Sequence, residues 1–270
     1  MEFSVLMAVH QGASAAHFVE AFQSILEQTL PPSEIVLVID GPIDGALAIL
    51  VDKLQREHAG TLRLLPLAVN KGLGAALQQG LTYCRYEIVA RMDADDICFP
   101  HRFEKQLAVL AARPEIDLVG GWINEFISSP AEVVAQRKVP EHMVDIIAYA
   151  KSRSPFNHPT VMFRKQAILA IGNYQAYGTF EDYLLWSKFI LANKQAYNIQ
   201  EPLLYFRMDK GVYKRRGGLG KTLAELRLQH TFYTSGFIHF GQYLRNILVR
   251  GGFRLMPNGL RGHFYRKLLK

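Results

Sequence analysis

The sequence has few of the features that mark membrane-spanning, secreted and zinc-binding proteins. No apolar run reaches the roughly 18 residues that a membrane-spanning helix needs. Residues 1–7 lack the basic segment that opens a secretory signal, and their apolar character predicts a strand. The chain has two cysteines, Cys84 and Cys98, with no metal-ligand pattern around them, so we expect reduced thiols in a cytoplasmic protein. What is left is a globular chain of 270 residues, long enough for one large α/β domain with a smaller appendage.

Acidic residues are scarce at one end of the chain. The net charge is +7, but residues 207–270 hold 14 basic and 2 acidic residues, whereas residues 1–206 hold 17 and 22. Aromatic and aliphatic residues alternate with the arginines of the tail, a pattern typical of helices at an anionic membrane surface. The alternative is a helical appendage that packs on the main domain or on a second copy in a homodimer. Because the basic residues follow apolar faces, we do not expect a nucleic-acid partner.

Short apolar runs alternate with helical patterns in the first half of the chain. The runs predict strands at residues 3–9, 34–39, 62–65 and 87–92, with helices at 14–28, 44–58, 73–83 and, opened by Pro100, 100–112. This order predicts an α/β fold with a mainly parallel sheet flanked by helices.

The second half of the chain is less regular. We predict strands at 117–127 and 158–164, and helices at 141–150, 180–192, 219–233, 240–249 and 260–269. A linker-like break at Lys214–Gly218 divides the chain into a main domain, residues 1–210, and a basic, amphipathic helical extension, residues 211–270.

Polar residues follow each of the first four predicted strands. They are His10, Asp40, the Lys71-Gly72 pair and the cluster Asp93-Ala94-Asp95-Asp96. Ligands of open α/β sheets bind outside the carboxyl ends of the strands. We therefore expect these residues to share one site.

The three aspartates of the cluster would raise each other's pKa unless a cation neutralised them. Mg²⁺ is typically held by one or two carboxylates together with substrate phosphates and water, so the cluster favours a metal–diphosphate site. The alternative is that these aspartates cap the helix near Pro100.

Two further groups have both a functional and a purely structural interpretation. Glu181 and Asp182 open a predicted helix, where they either complement its dipole or act as a general base. His158 is a base, a phosphate donor or a packed core imidazole.

Seven segments, taken together, resemble one known family. They are Ser4–Val9, Ile35–Gly41, Asn70–Leu73, Ala90–Asp96, Arg102–Gln106, Asn157–Arg164 and Glu181–Trp186, in this order. The combination is similar to family two of the inverting glycosyltransferases, which have a GT-A fold, and in particular to bacterial enzymes of O-antigen and exopolysaccharide (amylovoran-type) assembly. The resemblance covers about residues 3–210.

The resemblance implies a role for each matching residue. Asp95 and Asp96 would hold Mg²⁺ or Mn²⁺ against a diphosphate, and Asp182, with Glu181 as second choice, would be the catalytic base. The donor, expected to be a UDP-sugar, would contact Ala8, His10, Asp40, Lys71, Gly72, Arg91, Asp93 and Ala94. Three residues, His158, Trp186 and Arg207, would lie near the acceptor or diphosphate.

Three segments depart from the family pattern. One acidic residue, Asp40, stands after the second strand where the family has two, and His10-Gln11 replaces the usual ending of the first strand. Where many relatives carry Tyr-Arg-x-His, this chain has Phe206–Asp209, which puts diphosphate or metal contacts from that loop in doubt.

The expected reaction is transfer of a sugar from a nucleoside-diphosphate sugar to a hydroxyl of a lipid-linked saccharide at the cytoplasmic face of the inner membrane. One alternative is a sugar nucleotidyltransferase, but Gln11–Ser14 has one glycine and no basic residue where a phosphate loop is needed. The other alternative is a non-catalytic basic protein that binds nucleic acid or membrane.

Overall fold

The computed structural model of the chain describes residues 1–208 and 219–251. Nine strands are described: β1 (Phe3–Val9), β2 (Glu34–Ile39), β3 (Leu62–Pro66), β4 (Ile88–Arg91), β5 (Ile97–Cys98), β6 (Leu118–Phe126), β7 (Val133–Arg137), β8 (Met162–Arg164) and β9 (Ala196–Arg207). The α-helices of the same residues are α1 (Ala15–Leu26), α2 (Gly45–Glu57), α3 (Leu73–Tyr83), α4 (Arg102–Ala112), α5 (Met143–Ala150), α6 (Lys165–Ala170), α7 (Glu181–Leu191), α8 (Leu219–Thr234) and α9 (Phe240–Asn246). A 3₁₀ turn, His158–Thr160, precedes β8, and a π-helical turn, Ile247–Gly251, follows α9.

The strands form one mixed sheet in the order β3-β2-β1-β4-β8-β6-β9-β5, with β7 paired to β6. Strands β1 to β4 are parallel, as their helical connections require. Strand β8 then runs antiparallel to both β4 and β6, while β6 and β9 are parallel. The α/β class is confirmed, and every antiparallel pair includes a strand of the less regular second half.

Each face of the sheet carries its own hydrophobic core, because successive side chains of a strand point to opposite faces. On one face, Val5 and Met7 of β1 pack with helices α1, α2 and α4. On the other, Leu6 packs with α3 and α7. Helices therefore cover both faces, as the apolar run Ile35–Ile39 of β2 predicts.

The C-terminal helices α8 and α9 belong to the second of these cores. Phe232 of α8 is fully buried, and its ring lies 4.8 Å from that of Tyr183 on α7. Asn246 of α9 donates to the main-chain oxygen of Lys151 at 2.8 Å. The predicted helices at 219–233 and 240–249 are confirmed. The helix at 260–269, the break at Lys214–Gly218 and Asp209 lie outside the described residues, so the boundary at 210/211 stays a prediction.

Several elements differ from the sequence prediction. Strands β5, β7 and β9 and helix α6 were not predicted, and α4 begins at Arg102 rather than at Pro100. Within the described part of the chain, every helix is too short or too polar to cross a membrane.

Candidate active site

A cleft of about 250 Å³ opens at the carboxyl ends of β1 and β2 and the start of α3. It is lined by Ala8, Val9, His10, Asp40, Asn70, Gly72 and Leu73. The structure thus brings together four of the residues predicted to contact the donor (Ala8, His10, Asp40 and Gly72), and exposed Lys71 adjoins them.

Asp40 shapes one wall of this cleft. Its carboxylate accepts from the main-chain N–H of Lys71 at 2.7 Å and of Gly72 at 2.9 Å, so it fixes the loop before α3. Gly41, with a φ of +85°, passes so close to this loop that a Cβ atom there would lie 2.6 Å from the Asn70 nitrogen. The single aspartate after β2 therefore joins two loops of the cleft, whatever contact it makes with a ligand.

The opposite wall is built from the loop after β1. The exposed His10 ring accepts at Nδ1 from the Gly12 N–H, at 3.0 Å. Gln11 and Asp44 bind each other twice: the Asp44 N–H donates to the Gln11 side chain at 2.8 Å, and the Gln11 amide donates to the Asp44 carboxylate. This second link between the loops after β1 and β2 was missed, because Asp44 lies in a segment that shows only a turn and helix-start pattern.

Asp93, Asp95 and Asp96 converge beside the cleft, with one oxygen of each within 4.8 Å of the others. Burial and the charges of Asp93 and Asp95 raise the pKa of Asp96 well above its usual range, and its buried Oδ2 has no hydrogen-bond partner. Partial desolvation and the charge of Asp93 raise the pKa of Asp95 to about 6. Crowded carboxylate oxygens, one of them unsatisfied, fit a divalent cation such as Mg²⁺ or Mn²⁺.

The alternative interpretation of this cluster, helix capping, is wrong for α4. That helix has His101 at its N-cap, and no side chain accepts a hydrogen bond there. The carboxylates are thus available for another partner.

Two arginines hold the cluster from opposite sides. Arg91 forms an ion pair with Asp93 from inside the core, where its residue is 1% exposed. The main-chain N–H of Arg207 donates to Asp96 at 2.9 Å, and its Nε donates to the Asp95 carbonyl at 2.9 Å. Arg91 is therefore too deeply buried to contact a nucleotide directly and acts through its ion pair with Asp93. Arg207 holds the aspartate loop by its hydrogen bonds to Asp95 and Asp96.

Glu181 and Asp182 begin α7 close to the start of α3. A Cβ atom on Gly74 of α3 would lie 3.0 Å from the Glu181 Cβ and 2.4 Å from the Gln175 oxygen. Glu181 is 7% exposed, its Oε2 lacks a partner, and burial together with Asp182 raises the pKa of Glu181 to about 7. Burial also raises the pKa of Asp182, which retains partial exposure. Of the two residues, Asp182 is half-buried and Glu181 is buried.

His158 and Trp186 lie inside the core. The His158 Nε2 is 3.0 Å from the Tyr174 hydroxyl, and burial, aided by Arg91, holds the pKa of His158 well below its usual value. Trp186 is fully buried against the His158 ring. Both side chains are therefore enclosed by the fold, and their place near the acceptor or diphosphate stays a prediction. Tyr174 was missed, because its loop has no periodic pattern.

Comparison with known proteins identifies the family. The model of glycosyl transferase family 2 matches residues 4–172. The chain belongs to this family. The family 2 resemblance and the glycosyltransferase activity that it implies are therefore confirmed.

Two relatives match over nearly the whole chain. A protein named UDP-Gal:alpha-D-GlcNAc-diphosphoundecaprenol beta-1,3-galactosyltransferase, from Escherichia coli, is 36% identical over 100% of this chain and 97% of its own length. The amylovoran biosynthesis glycosyltransferase AmsE of Erwinia amylovora is 34% identical over 98% of each chain.

Solved structures confirm the GT-A fold expected of this family 2 chain. Residues 1–349 of Staphylococcus aureus TarS, solved in complex with UDP-GlcNAc, superpose with a TM-score of 0.67 at 17% identity, over 92% of this chain and 70% of that one. The mannosyltransferase PcManGT of Pyrobaculum calidifontis, solved with GDP-Man and Mn²⁺, gives 0.65 at 15% identity, over 96% and 71%.

Proposed function

We propose that the chain transfers a sugar, with inversion, from a UDP-linked donor to a hydroxyl of a lipid-linked saccharide during assembly of a bacterial surface polysaccharide. The observation that carries the proposal is the meeting of three groups at one sheet edge: the cleft, the aspartate cluster and the Glu181-Asp182 pair. The names of the Escherichia coli and Erwinia amylovora relatives support the class of donor and acceptor.

The cleft and the aspartate cluster bind different parts of the donor. The nucleoside enters the cleft between His10 and the Asp40-fixed loop, and the diphosphate lies toward Asp93 and Asp95. Asp95 and Asp96 would hold a divalent ion, Mg²⁺ or Mn²⁺, which would supply positive charge for the leaving diphosphate. Asp95 is the exposed member of the cluster, and the buried Asp96 supplies the oxygen that lacks a partner.

Asp182 acts as the general base. Its carboxylate takes the proton of the acceptor hydroxyl while the acceptor oxygen forms a bond to the anomeric carbon. The bond from that carbon to the diphosphate breaks, and its electron pair leaves with the nucleoside diphosphate. Attack from the face opposite the leaving group inverts the configuration in a single step. Because desolvation raises the pKa of Asp182, its carboxylate is a stronger base than an exposed aspartate.

A binding screen with UDP-, GDP- and dTDP-sugars tests the choice of donor. We expect a UDP-hexose to bind at least ten times more tightly with Mn²⁺ than with EDTA, because a cation held by Asp95 and Asp96 would offset the negative charge of the diphosphate. Calorimetric titration measures both constants. Equal affinity in EDTA, or a preference for GDP- or dTDP-sugars, would contradict the proposal.

We further propose that the protein works at the cytoplasmic face of the inner membrane, attached by its C-terminal residues. α9 and the turn after it expose four large apolar side chains: Phe240 is 56% exposed, Leu244 44%, Leu248 73% and Val249 65%. The sequence that follows, residues 252–270, adds five basic residues and no acidic one. Apolar side chains next to basic ones favour a surface of anionic lipid, where each Lys or Arg contributes about 1 kcal/mol.

Removal of residues 252–270 is the suitable test of attachment. A deletion from Lys214 onward would also remove Phe232, which packs on Tyr183 of the α7 helix, so it would disturb the site itself. We expect the shorter deletion to reduce co-sedimentation with phosphatidylglycerol vesicles at least about tenfold without loss of donor binding. Unchanged sedimentation would contradict membrane attachment, and a change from dimer to monomer in gel filtration would favour a second copy as the partner.

A further inference from the structure

The loop that carries the aspartate cluster leaves the end of β4 and returns to β5 within a few residues. One side chain, Arg102 of α4, contacts both ends. Its Nη2 donates to the Arg91 carbonyl at 2.7 Å, before the loop. Its Nη1 lies 3.2 Å from the Cys98 sulfur, after the loop, and 3.3 Å from the Met92 sulfur. We call Arg91, Met92 and Cys98 the neck of the aspartate loop.

Arg102 is itself held by Gln106, one helical turn further along α4. The Arg102 Nε donates to the Gln106 oxygen at 3.1 Å. The Gln106 amide then donates to the carbonyls of Val119 at 2.8 Å and Thr160 at 2.7 Å. Both side chains are fully buried, so the neck is tied to β6 and to the His158–Thr160 turn by bonds that water does not reach.

The buried guanidinium of Arg102 lacks the carboxylate partner that usually accompanies a buried positive charge. Among the described residues, no carboxylate lies within ion-pair distance of it, and its partners are carbonyl and amide oxygens and two sulfurs. A buried charge satisfied in this way is costly, and an apolar residue of similar volume often stabilises a fold as well or better. What a planar fork supplies, and an apolar residue cannot, is several donors in fixed directions.

We propose that Arg102, oriented by Gln106, is a positioning residue that fixes the neck so that the three aspartate oxygens stay close enough to share a divalent cation. These carboxylates repel one another when no cation is present, so the loop that carries them needs an external restraint. Arg207 restrains the loop at Asp95 and Asp96, and Arg102 restrains it at the neck. The inference rests on the proposed metal site.

The test is Mn²⁺ binding by the full-length protein, followed as the loss of the free-ion signal in electron paramagnetic resonance. Arg102→Lys keeps the charge but removes the fork, and we expect its dissociation constant for Mn²⁺ to rise at least about tenfold. With UDP-hexose as donor, we expect the Mn²⁺ concentration for half-maximal transfer to rise in parallel, while kcat at saturating Mn²⁺ stays within about threefold.

Arg164→Lys is the matched control. The Arg164 side chain also donates to main-chain carbonyls, those of Ile116 at 3.0 Å and Leu110 at 3.1 Å, but at the opposite end of β4. A general loss of packing would lower the melting temperature of both variants, whereas only Arg102→Lys is expected to change the affinity for Mn²⁺.

If Arg102→Lys does not fold, the milder variant Cys98→Ala can still test the proposal. Cys98→Ala removes one contact of the fork, and we expect it to weaken Mn²⁺ binding about two- to fivefold. Unchanged Mn²⁺ affinity in a folded Arg102→Lys protein, or in Cys98→Ala if that protein alone folds, would overturn the positioning role while leaving the metal site intact. Failure of the unaltered protein to bind Mn²⁺ would instead overturn the metal site, and the role of Arg102 with it.

Discussion

Replacement of Asp182 by asparagine is expected to lower the rate of sugar transfer about 10³-fold, within the range that general-base catalysis contributes. The amide has nearly the shape of the carboxylate but cannot take the proton of the acceptor hydroxyl. Asp182 lies in the first turn of α7, and the aspartate loop and the cleft are formed by other elements. We therefore expect the dissociation constant of the donor to change by less than about threefold. Single-turnover transfer and calorimetric binding measure the two quantities separately.

Glu181→Gln is the matched control for this experiment, because it removes the neighbouring carboxylate of the same helical turn. Glu181 is buried against Gly74, so its loss is expected to reduce transfer less than tenfold. If Glu181→Gln abolished transfer and Asp182→Asn did not, the roles of the two residues would have to be exchanged. Near-normal transfer by both variants would show that the catalytic base does not lie on α7.

The first half of the fold was predictable because each element there is determined locally. Strands β1, β2 and β4 are short, mainly apolar runs buried on both faces, β3 is a half-buried run, and amphipathic helices separate them. This is the clearest pattern that a sequence offers. The second half depends on distant pairing. Strand β9 contains Glu201 and Pro202, which break the apolar run, and its register with β6 shifts at Trp122. The register shift depends on how β9 pairs with β6, so it could not be predicted from a local sequence pattern.

The residues that follow the strands lie close together, as the sequence predicted, but the sequence did not indicate the direction of every side chain. All four residues of β4 are buried, so Arg91 points into the core, although its place next to the aspartates favoured a ligand contact. Trp186 of α7 is fully buried, and its ring packs against the ring of Phe156. Which face of an element is covered depends on how the elements pack, and the sequence alone does not determine it.

Replacement of Asp95 by asparagine is the second change with a large expected effect. It removes the exposed carboxylate of the cluster, so we expect Mn²⁺-dependent binding of the UDP-sugar to disappear and transfer to fall about 10³-fold. A bound metal ion stabilises the leaving diphosphate by several kcal/mol, and each 1.36 kcal/mol corresponds to a factor of ten in rate. Donor titrations with Mn²⁺ and with EDTA, followed by transfer assays, give both values.

Thermal unfolding separates this effect from a loss of folding. In EDTA, the Asp95→Asn protein is expected to melt at or above the temperature of the unaltered protein, because one of three mutually repelling carboxylates is gone. In Mn²⁺ the order reverses, since a cation that binds only the folded state raises the melting temperature of the protein that still holds it. Asp117→Asn, at the opposite end of β4, is the control and should keep the Mn²⁺-induced rise. If Asp95→Asn kept that rise, the aspartate cluster would not be the metal site, and the buried Asp96 oxygen would need another partner.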